Sequence, residues 1–434
     1  MTGKAKFVSP NSGNPHLWQA VGQNAVHATW FTCEHCGQRD HHLARFCRGC
    51  GKPVSFETAY AGDVLNPSAS PAPVGSPTML LDATAVGGKR VLHLGRAWGL
   101  LVVGVEDAGL FLFSVADPQE AEALNVPELD GESVFAVVQP PPEERSRSLR
   151  PRLLAVFPSG VAQVSLLPEP TVDWIYRTGP EGRPMNAAFA GDSVAIFISR
   201  SDNGQPSTDI VFLRDTMGRH PVERSTATVA QSPASAIVPL PSGDFFFHTS
   251  VAGHVCGGDG SIRSYPSPVP LSDRADSLLW GERVYVPAGD AIAVFQLESG
   301  DVWRFSPTLV PPFQFALDAI TQQLLTVDME GVKSIDALSG QVKWDSKTAL
   351  GFTFLGGQVR PIRIGDELLV AGSTAHGQQR IQGVTPFGPA NLRIIAELEG
   401  AIPLALESVG VGVAVSVSLP GLQPRGEVRL VGMR

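Results

Sequence analysis

The chain is short of charge, of cysteine and of long apolar runs. Asp, Glu, Lys and Arg make up only 17% of its 434 residues, while 43% are hydrophobic. That composition excludes a disordered, self-repelling chain and supplies a sizeable core. No stretch reaches the ~18 uninterrupted apolar residues that a membrane-spanning helix needs. The run Leu100–Val105 is short and reads as a buried strand. Lys4 and Lys6 are followed by no apolar core, so no export signal is expected. Basic residues are in deficit, 33 against 42 acidic, for a formal net charge of −9. The deficit lies outside the head: residues 1–60 hold six Lys or Arg against three Asp or Glu, and the remainder holds 27 against 39. Phosphate backbones need clustered basic residues, so nucleic acid is not an expected partner of the larger part. Only Arg39, Arg45 and Arg48 of the head could make such contacts. With five cysteines there is no disulfide framework, and a reducing, cytoplasmic setting is expected.

Four of those cysteines are the most informative residues present. Cys33 and Cys36, then Cys47 and Cys50, form two C-x-x-C pairs, each followed by glycine (Gly37 and Gly51). Two thiolates three residues apart can reach one tetrahedral ion from a tight turn. Glycine after each pair permits the positive φ that turns backbone N–H groups toward the sulfurs. The expected occupant is a structural Zn²⁺ held by Cys33, Cys36, Cys47 and Cys50. Four protein ligands leave no open position, so this metal is not expected to be catalytic. His35, His41 and His42 lie nearby but are not needed as ligands. A redox role would require a βαβ context that is missing. So small a module has too little core to fold unaided, and metal binding should supply its folding energy.

The length allows two or three domains or one large one. Residues 1–30 read as a flexible segment, 31–56 as the metal module and 57–77 as a Pro/Ala/Ser-rich linker typified by Asn66–Pro73. Residues 78–434 read as β-structure, rich in the glycine and proline that punctuate short strands. Turns at Asp259-Gly260, Ser299-Gly300 and Ser339-Gly340 place glycines 40 residues apart, each ahead of a strand with an aromatic: Tyr265, Trp303 and Trp344. Two-residue hairpin turns are expected there. Weaker breaks fall near Asp117-Pro118, Glu169-Pro170, Met217-Gly218 and Phe387-Gly388. Eight strand sets result, about 44 residues each, a period that indicates the blades of a β-propeller. The last set ends at Val428–Val431 with no strand after it. The segments Met79–Ala83 and Lys89–Leu94 precede the first set, and an N-terminal strand is therefore expected to complete the last blade and remove an exposed edge. The fold class is all-β, with eight blades expected and seven as the fallback.

The segments Ala291–Arg304 and Val332–Trp344 resemble PQQ-like (quinoprotein-like) β-propeller repeats: a strand, a Ser-Gly turn, then a strand carrying Trp. Trp344 stands four residues after its glycine, as in that family, whereas Trp303 stands three after. Residues Cys33–Val54 are similar to short zinc-ribbon modules at the ends of many bacterial regulatory and scaffold proteins. The repeat resemblance would imply a quinone cofactor beside Ca²⁺ and a disulfide of adjacent cysteines. This chain has no adjacent cysteines, and no such cofactor is expected.

Other residues carry less. Trp174, Trp303 and Trp344 could stack a ligand, but packing between blades is the stronger reading. His248, His254 and Cys256 could form a Cys–His pair; a core thiol with surface histidines on different strands is the stronger reading. Asp215, Asp259, Asp328 and Asp336 read as turn or strand-end carboxylates. The run Pro140–Ser148 reads as an inter-strand loop. The function expected is a non-catalytic cytoplasmic adaptor or scaffold that binds proteins through the propeller and the tethered ribbon. The alternatives are a hydrolase or lyase using carboxylates in the propeller channel, and nucleic-acid association through the ribbon.

Overall fold

The computed structural model describes residues 78–432, apart from segments between strands, of which the longest are 115–122, 141–150, 230–236, 346–351 and 385–391. Within the first 77 residues it describes the backbone of four short strands. From Thr78 on, the described elements are strands and one 3₁₀ turn, Pro127–Leu129. They form eight consecutive antiparallel sheets. The first is Val91–Ala97, Leu100–Val105, Gly109–Ser114 and Leu124–Asn125. The next five begin at Ala136–Val138, Arg183–Ala190, Val238–Pro239, Leu278–Trp280 and Gln314–Asp318. The seventh splits its first strand into Phe352–Phe354 and Ile362–Ile364, both paired with Glu367–Thr374. The eighth begins at Ile402–Val409.

First strands of neighbouring sheets touch. Ile402–Val409 meets Val91–Ala97, which meets Ala136–Val138, which meets Arg183–Ala190. The end of the chain thus lies against its beginning, and the molecule is an eight-bladed β-propeller. The closing device is the one expected from the missing strand. Thr78–Leu81 forms the fourth, outermost strand of the eighth blade, with Val428 opposite Leu81, Arg429 opposite Met79 and Leu430 opposite Thr78. All seven turn signals of the sequence period fall between the third and fourth strands of blades one to seven. Blade eight has no such turn because the two chain ends supply those strands.

Each seam between blades holds its own apolar cluster, eight in all. Strand alternation divides every blade between two seams. Val102 joins the seam to blade two, while Leu101 and Val103 join the seam to blade eight. Ile196 faces blade two and Phe197 faces blade four. Both faces of the central strands are therefore buried, which is why Leu100–Val105 and Leu153–Phe157 read as continuous apolar runs.

The repeating turns differ from the two-residue form expected. The Gly300 N–H bonds Gln296 O and the Gln296 N–H bonds Asp301 O, which encloses a four-residue loop. The same pattern holds Asp336 to Gly340 and Gln341. Asx and Ser side chains cap these loops: Ser299 Oγ donates to Asp301, and the Leu338 and Ser339 N–H groups donate to Asp336 Oδ1. The glycines keep positive φ, +78° at Gly300 and +73° at Gly340. Space also demands them. A Cβ at Gly340 would meet the Phe305 ring at 2.4 Å, and one at Gly300 would meet Tyr265 at 3.1 Å. At Gly300 and Gly340 the turn thus packs on an aromatic of the outer strand of the preceding blade.

Blade six contains a sealed ion pair. Lys333 Nζ lies 3.1 Å from Asp328 Oδ2, with side chains only 5% and 1% exposed, and also donates to Thr308 O at 2.7 Å. Asp328 further accepts the N–H groups of Val310, Glu330 and Gly331. The pair ties the connection from blade five to the turn between the second and third strands of blade six. Replacing Lys333→Ala leaves a buried carboxylate without its counter-charge, a loss of about 3–5 kcal/mol. Denaturant unfolding monitored by tryptophan fluorescence should show the midpoint falling with an unchanged slope.

Candidate functional site

The ligand set read from the sequence, Cys33, Cys36, Cys47 and Cys50, lies outside the described residues, as do His35, His42 and Asp215. The backbone flanking the first pair is described: Trp30–Thr32 runs antiparallel to Arg39–His41, with Trp30 opposite His41 and Thr32 opposite Arg39. Among the described residues no group of three or more His, Cys, Asp or Glu is arranged to hold a metal ion.

The tryptophans fill seams. Trp174 is 4% exposed, packs against blade three and donates its indole N–H to Thr216 O at 3.0 Å. Trp303 packs in the seam between blades five and six, with the Arg283 guanidinium 5.2 Å over its ring. Trp344 packs in the next seam.

His248 and His254 do lie on different strands, Phe245–His248 and Ala252–Cys256, but neither is at the surface. Both are buried, because these strands have seams on both faces. His254 shares hydrogen bonds with Ser264 Oγ at 2.9 Å and Thr249 Oγ1 at 3.4 Å, and stacks on Phe247. Burial lowers its pKa. Cys256 is a core thiol among Phe245 and Phe247. Burial, helped by the charges of Asp244 and Asp259, pushes it up to about 12, so it is not a nucleophile at neutral pH. Asp259 caps its turn through Ser261, and Asp336 does the same through Ser339.

The first strands of the blades face the propeller axis, and they differ around the ring. The first strands of blades four and five carry Val238, Pro239, Leu278, Leu279 and Trp280, of which Val238, Leu278, Leu279 and Trp280 pack into the seams. The first strands from blade seven through blade two, with their flanking residues, carry polar groups as well: Arg360, Glu407, Ser408, Arg96 and Gln139.

Within this polar arc, Arg96 and Glu407 face each other. Leu94, two residues before Arg96, lies in the seam between blades eight and one; so do Ala405 and Val409, which flank Glu407 by two. Strand alternation sends Arg96 and Glu407 into that same seam. Arg96 is 6% exposed and Glu407 8%. Arg96 Nη1 donates to Ser408 O at 3.3 Å, across the seam. Gln139 Nε2 donates to Arg96 O and fixes the strand end from the other side. The Ser408 N–H donates to Glu407 Oε1 at 3.1 Å.

Burial dominates the electrostatics here. It pushes the Glu407 carboxyl up to about 7, against the opposing pull of the Ser408 N–H and of the Arg96 and Arg360 charges. It lowers Arg96, whose charge Glu407 in part supports. On the same strand as Arg96, His93 points into the next seam, where a Cβ at Gly104 would meet His93 Cβ at 3.1 Å. Enclosure by protein drops its pKa to about 4, so it stays neutral. Among the described residues the charges that act on Glu407 are those of Arg96 and Arg360, and no second carboxylate there is paired with it. A neutral carboxyl opposite a guanidinium suits holding a polar group.

Sequence reasoning missed Arg96 and Glu407. The usable signal was one charge interrupting an apolar strand, as in Leu404-Ala405-Leu406-Glu407.

The chain matches no protein-family model and no curated relative. Solved structures of similar architecture include virginiamycin B lyase from Staphylococcus aureus, at 17% identity over 65% of this chain and 92% of that one, TM-score 0.41. The Pan2 WD40 domain of Neurospora crassa shares 10% identity over 80% of this chain and 90% of its own, TM-score 0.44. The WD40 domain of SCAP from fission yeast shares 10% over 84% and 97%, TM-score 0.45. None of these likenesses bears on activity; blade number and closure rest on the strand pairing itself. No helix among the described residues is long and apolar enough to cross a membrane.

Proposed function

We propose that the protein is a non-catalytic cytoplasmic scaffold that binds other proteins, with the propeller as a rigid platform and a zinc-holding head as a second, tethered module. The observation that carries this reading is the closing strand. Because Thr78–Leu81 is built into the rim of blade eight, a head within residues 31–56 would be joined to the platform through the Pro/Ala/Ser-rich residues 57–77. Two modules on one tether favour simultaneous engagement of one assembly. A structural Zn²⁺ on Cys33, Cys36, Cys47 and Cys50 is supported by their spacing and by the antiparallel pairing on either side of Cys33 and Cys36. The propeller supplies a stiff frame on which connecting loops vary without disturbing the core.

Two measurements test this. Elemental analysis of the pure chain should find one zinc per molecule, lost in the double variant Cys33→Ser/Cys36→Ser. Affinity purification with mass spectrometry should recover a partner set from the whole chain that shrinks when residues 1–77 are removed, or when the cysteines are replaced. Absence of zinc, or an unchanged partner set, would sink the reading. One feature favours an enzyme instead: burial pushes the Glu407 carboxyl up to about 7, within the range of a general acid or base. That reading requires Glu407→Gln to abolish a hydrolytic or eliminating activity.

A further inference from the structure

Arg96 as a residue is only 6% exposed, yet among the described residues Ser408 O is the one hydrogen-bond acceptor of its guanidinium. Its remaining N–H groups are neither bonded nor sealed from solvent. Glu407, equally buried, accepts from the Ser408 N–H through Oε1, and its second oxygen is likewise neither bonded nor sealed. The two side chains influence each other through space and not through a direct hydrogen bond. A buried cation normally sits against its counter-ion. Here the cation and the only carboxyl acting on it stand apart, with open valences on both sides of the gap.

We propose that the gap between Arg96 and Glu407, at the axial end of the seam between blades eight and one, binds a small oxyanion, a carboxylate or a phosphate group. The Arg96 guanidinium supplies the counter-charge in the planar, multi-donor form that suits such groups. The Glu407 carboxyl supplies a hydrogen bond while it carries its proton, and repels the ligand once it ionises. Of the other charged groups around Glu407, Arg360 of blade seven adds to the attraction. His93 points into the far seam of blade one. Glu427 and Arg429 pair with each other at 2.9 Å, with Arg429 bonded to Leu398 O. They lie on the face toward blade seven, since Val431 of the same strand face packs there. The inference is independent of the zinc head and of any protein partner.

Titration calorimetry of the whole chain tests it, with inorganic phosphate and with acetate as probes in a chloride buffer of constant ionic strength. At about pH 6 at least one probe should bind saturably, one per chain; which of them binds distinguishes a phosphate from a carboxylate ligand. Between about pH 6 and 8.5 acetate keeps its charge, so weakening of its binding by roughly 10-fold reports Glu407. For phosphate the comparison is between variants at one pH. Arg96→Met should remove binding. Glu407→Gln, which keeps a donor but cannot ionise, should bind at both pH values without the weakening. No saturable binding to either probe at tens of millimolar would overturn the proposal. So would a folded Arg96→Met variant that binds normally, or a Glu407→Gln variant that keeps the pH dependence. Circular dichroism confirms folding, and Glu407→Gln decides the matter should Arg96→Met fail to fold.

Discussion

Truncation at residue 82 lowers the melting temperature by about 5–10 °C, whereas truncation at residue 77 leaves it unchanged; the difference is four residues of strand. Thr78–Leu81 pairs with the strand that ends the chain, and Leu81 is 4% exposed in the seam between blades eight and one. Deleting it withdraws a buried leucine, worth about 2–3 kcal/mol. Several ladder hydrogen bonds go with it, about 1 kcal/mol each. It also uncovers Val428 and Leu430. The total is on the order of 5 kcal/mol, and for a domain of this size each kcal/mol moves the midpoint by only a degree or two. The bared edge of Arg425–Gly432 should in addition promote association between chains. Calorimetry and light scattering on both truncations check this. Equal melting temperatures would mean that the ring does not depend on its clasp.

Glu407→Gln raises stability at alkaline pH and leaves it unchanged in acid. The folded chain holds the Glu407 proton up to about pH 7, well above the ordinary glutamate range, because burial penalises the carboxylate. A group raised in this way stabilises the fold fully below the unfolded pKa, and that contribution is lost as pH rises through the folded value. The wild type therefore loses stability between about pH 4.5 and 8, up to roughly 3 kcal/mol by the linkage relation. Glutamine removes the loss. His93 works in the opposite sense: its folded pKa near 4 means that stability falls as pH drops below the ordinary histidine value. Wild type and variant share His93, so the difference between them at each pH isolates Glu407. Melting curves at about pH 5 and 8.5 should show a gap of a few degrees only at the higher pH. A gap of the same size at both values would assign the effect to packing.

Much of the architecture could be read from particular residues. Gly260, Gly300 and Gly340 mark the period because each takes a positive φ in a turn that short-range chemistry dictates. The apolar runs are continuous because both faces of each blade are covered, and composition alone reports that. The unpaired last strand, Val428–Val431, required a partner, and only the N-terminal segment remained to supply it. Other features were hidden. Nothing in the local sequence distinguishes a four-residue loop from a two-residue turn when both use glycine. His248 and His254 looked like surface residues, since polarity is a poor guide to burial in a strand with neighbours on both sides.

The amino-acid sequence by itself determined the repeat, the strand character, the clasp between the chain ends and the spacing of the four cysteines. These depend on interactions between residues near in the chain, or on counting strands. Only the tertiary structure decided that Arg96 and Ser408, 312 positions apart, meet across one seam. Only there does Glu407 acquire a pKa near neutrality. A carboxyl group's proton affinity follows from the water it loses and the charges it faces, and ring closure, not local sequence, brings those neighbours together.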